Sequence, residues 1–473
     1  MNKILFTKDI RLLLKDLKFQ LFFLITVLLF ILSAVSSAVT YQNLSNEYQN
    51  LLGEHSTRIN DERSTQLVNL LSGKPIIIID PPSPAVLFSS YENYPNYATN
   101  EVAHFNPLFH QYKVSGSEVF RLNWFFIIGI MSGLFMLLIS FEAISNEKRA
   151  GTLRLISIFG YKRQTFLWSK YFSYLFLYLI IIIPPALISL LLFFALTSLW
   201  QLSYMLQYLL ILLLSIPFAS FFIWLGILIS MSRNYRSSII TVVFLWLLFV
   251  VIIPATANIM GRKITPIKSN LEYEQKHEAA RLAEWEQWRD QVWIEALPGL
   301  MISNNDNDIS YLAGIASVEK RNQSELLQHL DSRNQTQTIQ KIASLSPFIQ
   351  LEKLSEIIFI KGQYLFDFLY DNTRMVQSQV RNLMIEQDLR DEFSEHRFSR
   401  GYNTSFYEPW GDNLPSFSMQ KFEHPDLLFV ASIQTDEIAV KIKKVLFNLL
   451  PIFGLNILLL FICVLRIEKM DIR

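Results

Sequence analysis

From Tyr171 to Ser232, a run of 62 residues, no side chain is charged. No single buried core helix is that long. Roughly 20 apolar residues cross about 30 Å of hydrocarbon as a helix, so the run holds two membrane crossings. Thr197-Ser198-Leu199-Trp200-Gln201 divides them, and polar and aromatic residues of this kind favour the membrane–water interface. Four further charge-free runs, Phe19–Asn46, Leu122–Phe141, Ser237–Gly261 and Val445–Leu465, raise the number of spans to six. With 51% hydrophobic and 18% charged residues, the composition fits the same class. The chain reads as an all-α polytopic membrane protein.

Orientation follows from lysine and arginine. Lys3, Lys8, Arg11, Lys15 and Lys18 precede the first span, and Lys148, Arg149, Arg154, Lys162, Arg163 and Lys170 lie in 145–170. Arg233 and Arg236 join the fourth span to the fifth, and Arg466, Lys469 and Arg473 end the chain. These short segments carry 16 of the 42 basic residues, which predicts that they and both termini are cytoplasmic. The expected order is a cytoplasmic amphipathic helix over 1–18 and spans at 19–41, 122–144, 169–198, 204–231, 237–259 and 444–466. A cytoplasmic loop occupies 145–168 and a tail 467–473, leaving inserts 42–121 and 260–443 on the far side.

The small residues Ser33–Ala38 after an apolar run resemble a signal-peptide cleavage site. The charge-free run is too long for that, and Asp9–Leu17 reads as an interfacial helix with Ile10, Leu13, Leu14 and Leu17 on one side. A retained first span is therefore expected.

Within the inserts, Gln42–Leu71 continues the first span as helix, and Lys74–Pro82 is a short β-branched run ended by prolines. Tyr91–Tyr97 reads as loop. Glu272–Ile294 is predicted helical with Leu282, Trp285, Trp288 and Val292 close to one face; with Trp293, these tryptophans are read as packing or lipid contacts rather than a ligand surface. A helix should start after Ser346-Pro347, and a longer one after Gly362 with Leu365, Leu369, Val376, Val380 and Leu383 at helical spacing. Residues 394–426 read as irregular.

Several functions are excluded by what is missing. No G-x-x-x-x-G-K-[ST] occurs, so no ATP site of the P-loop kind is expected on this chain, and H-E-x-x-H, C-x-x-C and G-x-S-x-G are missing too. No catalytic residue and no cofactor site is therefore expected. A net charge of +1 argues against nucleic acid as a partner. The seven histidines, His55, His104, His110, His277, His329, His396 and His424, all lie in the inserts. His104 and His110 are close, but their spacing matches no metal-ligand pattern, so no metal site is expected. The single cysteine, Cys463, falls inside the last span, and the inserts must fold without disulfides.

The most informative motif is cytoplasmic, running from Phe141-Glu142 through Glu147-Lys148-Arg149-Ala150-Gly151-Thr152-Leu153-Arg154-Leu155. By its residues alone, it is a charged turn followed by a short helix. Thr152 is the expected N-cap, Leu153, Leu155, Ile156 and Ile158 the apolar positions, and Gly160-Tyr161-Lys162-Arg163 the end. A fresh helix is expected to enter the bilayer from Thr165. Such an amphipathic element along the inner surface suits force transmission from a soluble partner to two spans.

Glu-Lys-x-x-Gly-Thr-Leu-x-Leu, then Tyr161-Lys162-Arg163 and Ser169-Lys170, resembles the hallmark of type-2 ABC transporter permeases. The likeness is strongest over 122–258. It implies the six-helix exporter permease fold with two mainly helical extracytoplasmic insert domains, in the cytoplasmic membrane of a bacterium. It also implies that Glu142, Glu147, Lys148, Arg149, Gly151, Thr152, Leu153, Leu155, Tyr161, Lys162 and Arg163 form the element docked on the ATPase subunit. The family usually has a second acid where this chain has Arg149. The two large inserts, with Pro81-Pro82-Ser83-Pro84 and Leu345-Ser346-Pro347, resemble a branch containing permeases of multicopper-enzyme maturation and gliding type. The implied partners are two ATPase subunits carrying ATP and magnesium, a second permease (the same chain or a sister), membrane lipids and a partner protein outside.

Two readings follow. In the first, ATP-driven closure beneath the membrane moves spans two and three and opens a path. In the second, the chain is a scaffold that moves its inserts while nothing crosses; the lack of ionisable residues deep in the spans suits this, or an apolar cargo. In the first reading Pro184-Pro185, Pro217, Pro254 and Pro451, inside the spans, permit bending; as residues alone they read equally as tolerated kinks in packed helices.

Overall fold

In hydrocarbon every backbone N–H and C=O must be satisfied within the chain, so long apolar runs become helices. The computed structural model describes residues 3–60, 76–78, 84–88, 97–99, 122–152, 158, 162–231, 235–268, 330–361 and 438–469, with 272, 275, 279, 327, 364, 367, 386, 387 and 389–391 besides. Among the described residues, six helices are long and apolar enough to cross a membrane: Leu17–Asn46, Phe126–Arg149, Arg163–Thr197, Leu202–Ser230, Ser238–Ile264 and Val440–Glu468.

Helix α1 (Lys3–Leu14) lies against the third span and precedes α2 (Leu17–Asn60), the first. The Asp16 carboxylate accepts from Lys18 N at 3.0 Å at the junction. At about 1.5 Å per residue, α2 is roughly twice the length that hydrocarbon requires, and it carries the helix past the membrane to Asn60. The strand β1 (Ile76–Ile78) pairs antiparallel with β2 (Tyr97–Thr99), placing Ile78 opposite Tyr97. The β-branched run thus forms a strand, and Tyr97, expected in a loop, is its partner.

The second span, α3, opens as a π-turn over Phe126–Met131 and continues over Ser132–Ser140. A turn at 141–144 leads into α4 (Ser145–Arg149). Helix α5 (Arg163–Thr197) begins two residues before the expected Thr165 because Lys162 is extended, and it ends at Ser198 with φ 58°. After α6 (Leu202–Ser230), the fifth span α7 runs from Tyr235 to Ile264, interrupted by a second π-turn at Leu248–Ile252. Residues 330–343 are helical, followed by α8 (Pro347–Phe359), which begins where Ser346-Pro347 predicts; the Ser346 hydroxyl caps it, accepting from Ile349 N. Helix α9 (Ile438–Asn448) leads through Leu449 into α10 (Leu450–Glu468), so Pro451 opens a helix rather than bending one. The prolines Pro184, Pro185 and Pro217, by contrast, sit inside continuous helices. Of the expected helices, the described residues 272, 275 and 279 of Glu272–Ile294 and 364, 367, 386, 387, 389 and 390 after Gly362 are helical. The rest of both, the three tryptophans, the irregular 394–426 stretch and the His104–His110 pair lie outside the described residues.

Apolar side chains gain little from leaving lipid for protein, so span packing depends on close contact and small residues. Gly133 of α3 lies under the Phe222 ring, where an added Cβ would come within 3.1 Å. Trp124 Nε1 donates to Ser189 Oγ at 2.9 Å, and Asn456 Nδ2 donates to Pro217 O at 3.0 Å. The spans alternate in direction, so α1, the 141–162 turn and the end of α10 share one end. We call it the proximal end, and the opposite one the distal end.

Candidate coupling site at the charged end of the bundle

Three elements meet at the proximal end around Lys170. This residue lies two turns inside α5, and its side chain is only 7% exposed. Its ammonium donates to Asp9 Oδ1 at 2.8 Å and to Glu147 Oε1 at 2.9 Å. One cation therefore joins the N-terminal helix α1, the short helix α4 and the third span. Lys8 adds a longer contact of 3.4 Å to the same Glu147 oxygen. Glu142 is held by Lys18 at 2.8 Å, so a second ion pair ties the base of α2 to the turn. The Lys18 ammonium also lies 5.8 Å from the centre of the Phe141 ring.

Asp9 is buried for a local reason. It repeats four residues after Leu5, and this stripe of α1 faces α5, leaving Leu12, Leu14 and Leu17 exposed. Of the expected apolar side, Ile10 and Leu13 are half-buried and Leu14 and Leu17 are exposed, while the helix docks on α5 through a stripe that contains an acid. Burial outweighs the attraction of Lys170, and the neighbouring Glu147 acts in the same direction, so the Asp9 carboxyl is raised above the usual carboxylate range.

The turn itself is shaped by two residues. Gly151 has φ +71°, a region that costs little only without a side chain. Thr152 is already helical, and its hydroxyl turns back to the Glu147 carboxylate and to Glu147 O at 3.1 Å. The backbone N–H groups that Thr152 would cap lie outside the described residues, and donation to the charged Glu147 leaves the hydroxyl oxygen able to accept. Open space surrounds the position that a Cβ at Gly151 would take, so only the backbone opposes substitution. Gly151→Asn, which tolerates the left-handed region, should therefore keep stability within about 0.5 kcal/mol, whereas Gly151→Val should lose about 1–2 kcal/mol. Thermal unfolding of the two purified variants measures this difference.

Of the residues that the sequence singles out, Glu147 and Thr152 belong to the network around Lys170, and the half-buried Glu142 to the separate pair with Lys18. Lys148, Arg149, Lys162 and Arg163 are exposed. Arg149 bonds to Asn146, which itself donates to Glu142 at 3.0 Å. Arg163 points elsewhere: it donates to Glu468 O at 2.6 Å and Ile467 O at 3.3 Å, and Gln164 donates to the Glu468 carboxylate at 2.8 Å. The start of the third span is thereby tied to the end of the sixth. Leu153, Leu155 and Tyr161 lie outside the described residues. Asp9 and Lys170 are the members that sequence reasoning left out of the site. Their signals are a lone acid in an apolar stripe and a lysine at the threshold of the long charge-free run.

The ABC-2 family transporter protein family matches residues 4–363, a range that takes in α1 from Ile4, the turn and the spans α2, α3, α5, α6 and α7. No curated protein and no solved structure matches significantly. The match covers most of the chain and all three elements around Lys170, so this integral membrane protein belongs to the ABC-2 family of transporters, as a permease component whose family implies an ABC ATPase as partner.

Proposed function

We propose that the chain is the permease subunit of a bacterial exporter, working with two separate ATPase subunits that hold ATP and magnesium and with a second permease, the same chain or a sister. The termini and the 141–162 turn face the cytoplasm, where the density of lysine and arginine favours retention. The ATPase docks on the exposed Lys148, Arg149 and Lys162 and on the short helix that the sequence predicts after Gly151. The observation that carries this reading is Lys170 bonded to both Asp9 and Glu147: a push on the turn has no slack to absorb it and moves α1, α3 and α5 together. The two inserts belong to the branch with large extracytoplasmic domains, whose Pro81–Pro84 and Leu345–Pro347 motifs this chain shares.

Replacing Lys148, Arg149 and Lys162 together by glutamate reverses three exposed charges and spares the buried network. ATPase binding to the permease in nanodiscs should weaken at least about tenfold, since rim and exposed charges govern docking, while the unfolding midpoint stays put. Unchanged binding by the triple variant would remove the proposed docking face.

A further inference from the structure

The distal end has its own junction, built from pieces of both inserts. Residues 85–88 of the first insert are all buried. Their backbone is held from four directions: Ser37 of α2 donates to Val86 O at 3.4 Å, and Phe125 N donates to Phe88 O at 2.7 Å. Lys361, just past α8, donates to Ala85 O at 3.2 Å, and the Tyr208 hydroxyl of α6 bonds to the Leu87 and Phe88 backbone. The Phe88 ring stacks on Phe359 with centroids 5.5 Å apart, so this turn and the end of α8 form one unit.

The other end of α8 sits astride the two π-turns, and π-turns within helices are frequently functional. The Phe348 ring covers Gly129 in the first π-turn, where an added Cβ would lie 3.1 Å away. In the second, Ile253 N–H is taken by Leu248 O, and Pro254, next in line for Phe249 O, has no N–H. The Ser346 hydroxyl donates to that Phe249 carbonyl instead. Trp246 Nε1 closes the triangle by donating to Ile130 O at 3.2 Å, between the two π-turned spans. Lys441 donates to Ile358 O at 3.3 Å, which links the foot of the sixth span to the same helix.

We propose that α8 and the turn 84–88 form a second coupling element, which converts relative movement of the second and fifth spans into movement of both inserts. Both spans depart from the regular α-helical hydrogen-bond register where α8 grips them, and single π-turns inside helices are frequently placed at functional sites. The inference rests on the proposed ATPase-driven permease, with the distal end outside. It adds an output: work delivered to the inserts and to whatever those domains hold.

The test uses the whole permease–ATPase complex in nanodiscs, in a Cys463→Ser background that removes the single cysteine. Leu345→Cys, at an exposed site before α8, should change its maleimide reactivity at least about threefold between the nucleotide-free and ATP–vanadate states. Phe348→Ala or, if that variant misfolds, Ser346→Ala should abolish the change while assembly persists. Lys162→Cys serves as the cytoplasmic control, protected from maleimide by the bound ATPase. Protection of Lys162→Cys without any nucleotide response at Leu345→Cys overturns this inference alone, as does an undiminished response in the α8 variants. Loss of Lys162→Cys protection refutes the docking reading beneath it.

Discussion

Replacing Lys170 by methionine should cost about 3–5 kcal/mol, because it leaves two buried carboxylates without their shared cation. Asp9 and Glu147 have side-chain exposures of only 5% and 11%, and the 3.4 Å contact from Lys8 reaches Glu147 alone. The expected readouts are a lower unfolding midpoint in detergent and loss of ATPase co-purification. Combining Lys170→Met with Asp9→Asn and Glu147→Gln should restore most of the stability, since removing every charge of a buried cluster is often nearly neutral. It should not restore coupling, because the joint between α1, α4 and α5 is gone. The pH dependence has a definite sign. The Asp9 pKa is raised in the folded chain, so protonated Asp9 favours folding, and that advantage disappears as pH rises through the raised value. Without Lys170 the ionised form is costlier still, so the Lys170→Met defect should shrink on acidification from about pH 7.5 to about pH 5. A defect equal at both values, or a triple variant no more stable than Lys170→Met, would contradict the shared-cation account.

Gly226→Val should destabilise the bundle by about 1–3 kcal/mol through overpacking, and it should disturb the turn before it disturbs the spans. An added Cβ at Gly226 would lie 1.8 Å from Ser140 Oγ, 2.9 Å from Ser140 Cβ and 3.3 Å from Phe141 N. Rotation of the Ser140 hydroxyl relieves only the first of these. The other two atoms belong to the place where α3 ends, and one turn further along α6 Ser230 Oγ accepts from Ile144 N at 3.3 Å. The Gly226–Ser230 face of α6 is thus the anvil on which the 141–144 turn rests. Pairing Gly226→Ala with Ser140→Gly should recover more than half of the loss seen in Gly226→Ala alone, a coupling expected of touching residues. Thermal unfolding of the four members of this cycle measures the coupling, and ATPase stimulation reports the turn.

Much of the architecture was legible because lipid imposes a one-dimensional rule: spans announce themselves by the absence of charge, and Tyr171–Ser232 divides where its polar and aromatic residues fall. The start of α8 was legible for a similar reason, since Ser346-Pro347 is a local capping signal that needs no partner. The turn at Glu147–Thr152 could be located, but the direction of its side chains could not. The donation of Thr152 to Glu147 and the hold of Arg163 on the end of α10 depend on partners that are distant or unmarked in the sequence.

What sequence alone determined, then, is the number of spans, the residues near each boundary and the class of protein, because these follow from local hydropathy and charge. What only the tertiary structure decided is which distant residues share a site. Asp9 and Lys170 are 161 positions apart, and Ser346 finds Phe249 across 97. Such pairs form because a buried charge or an orphaned carbonyl must find a partner, and the packing of the helices decides which partner is within reach.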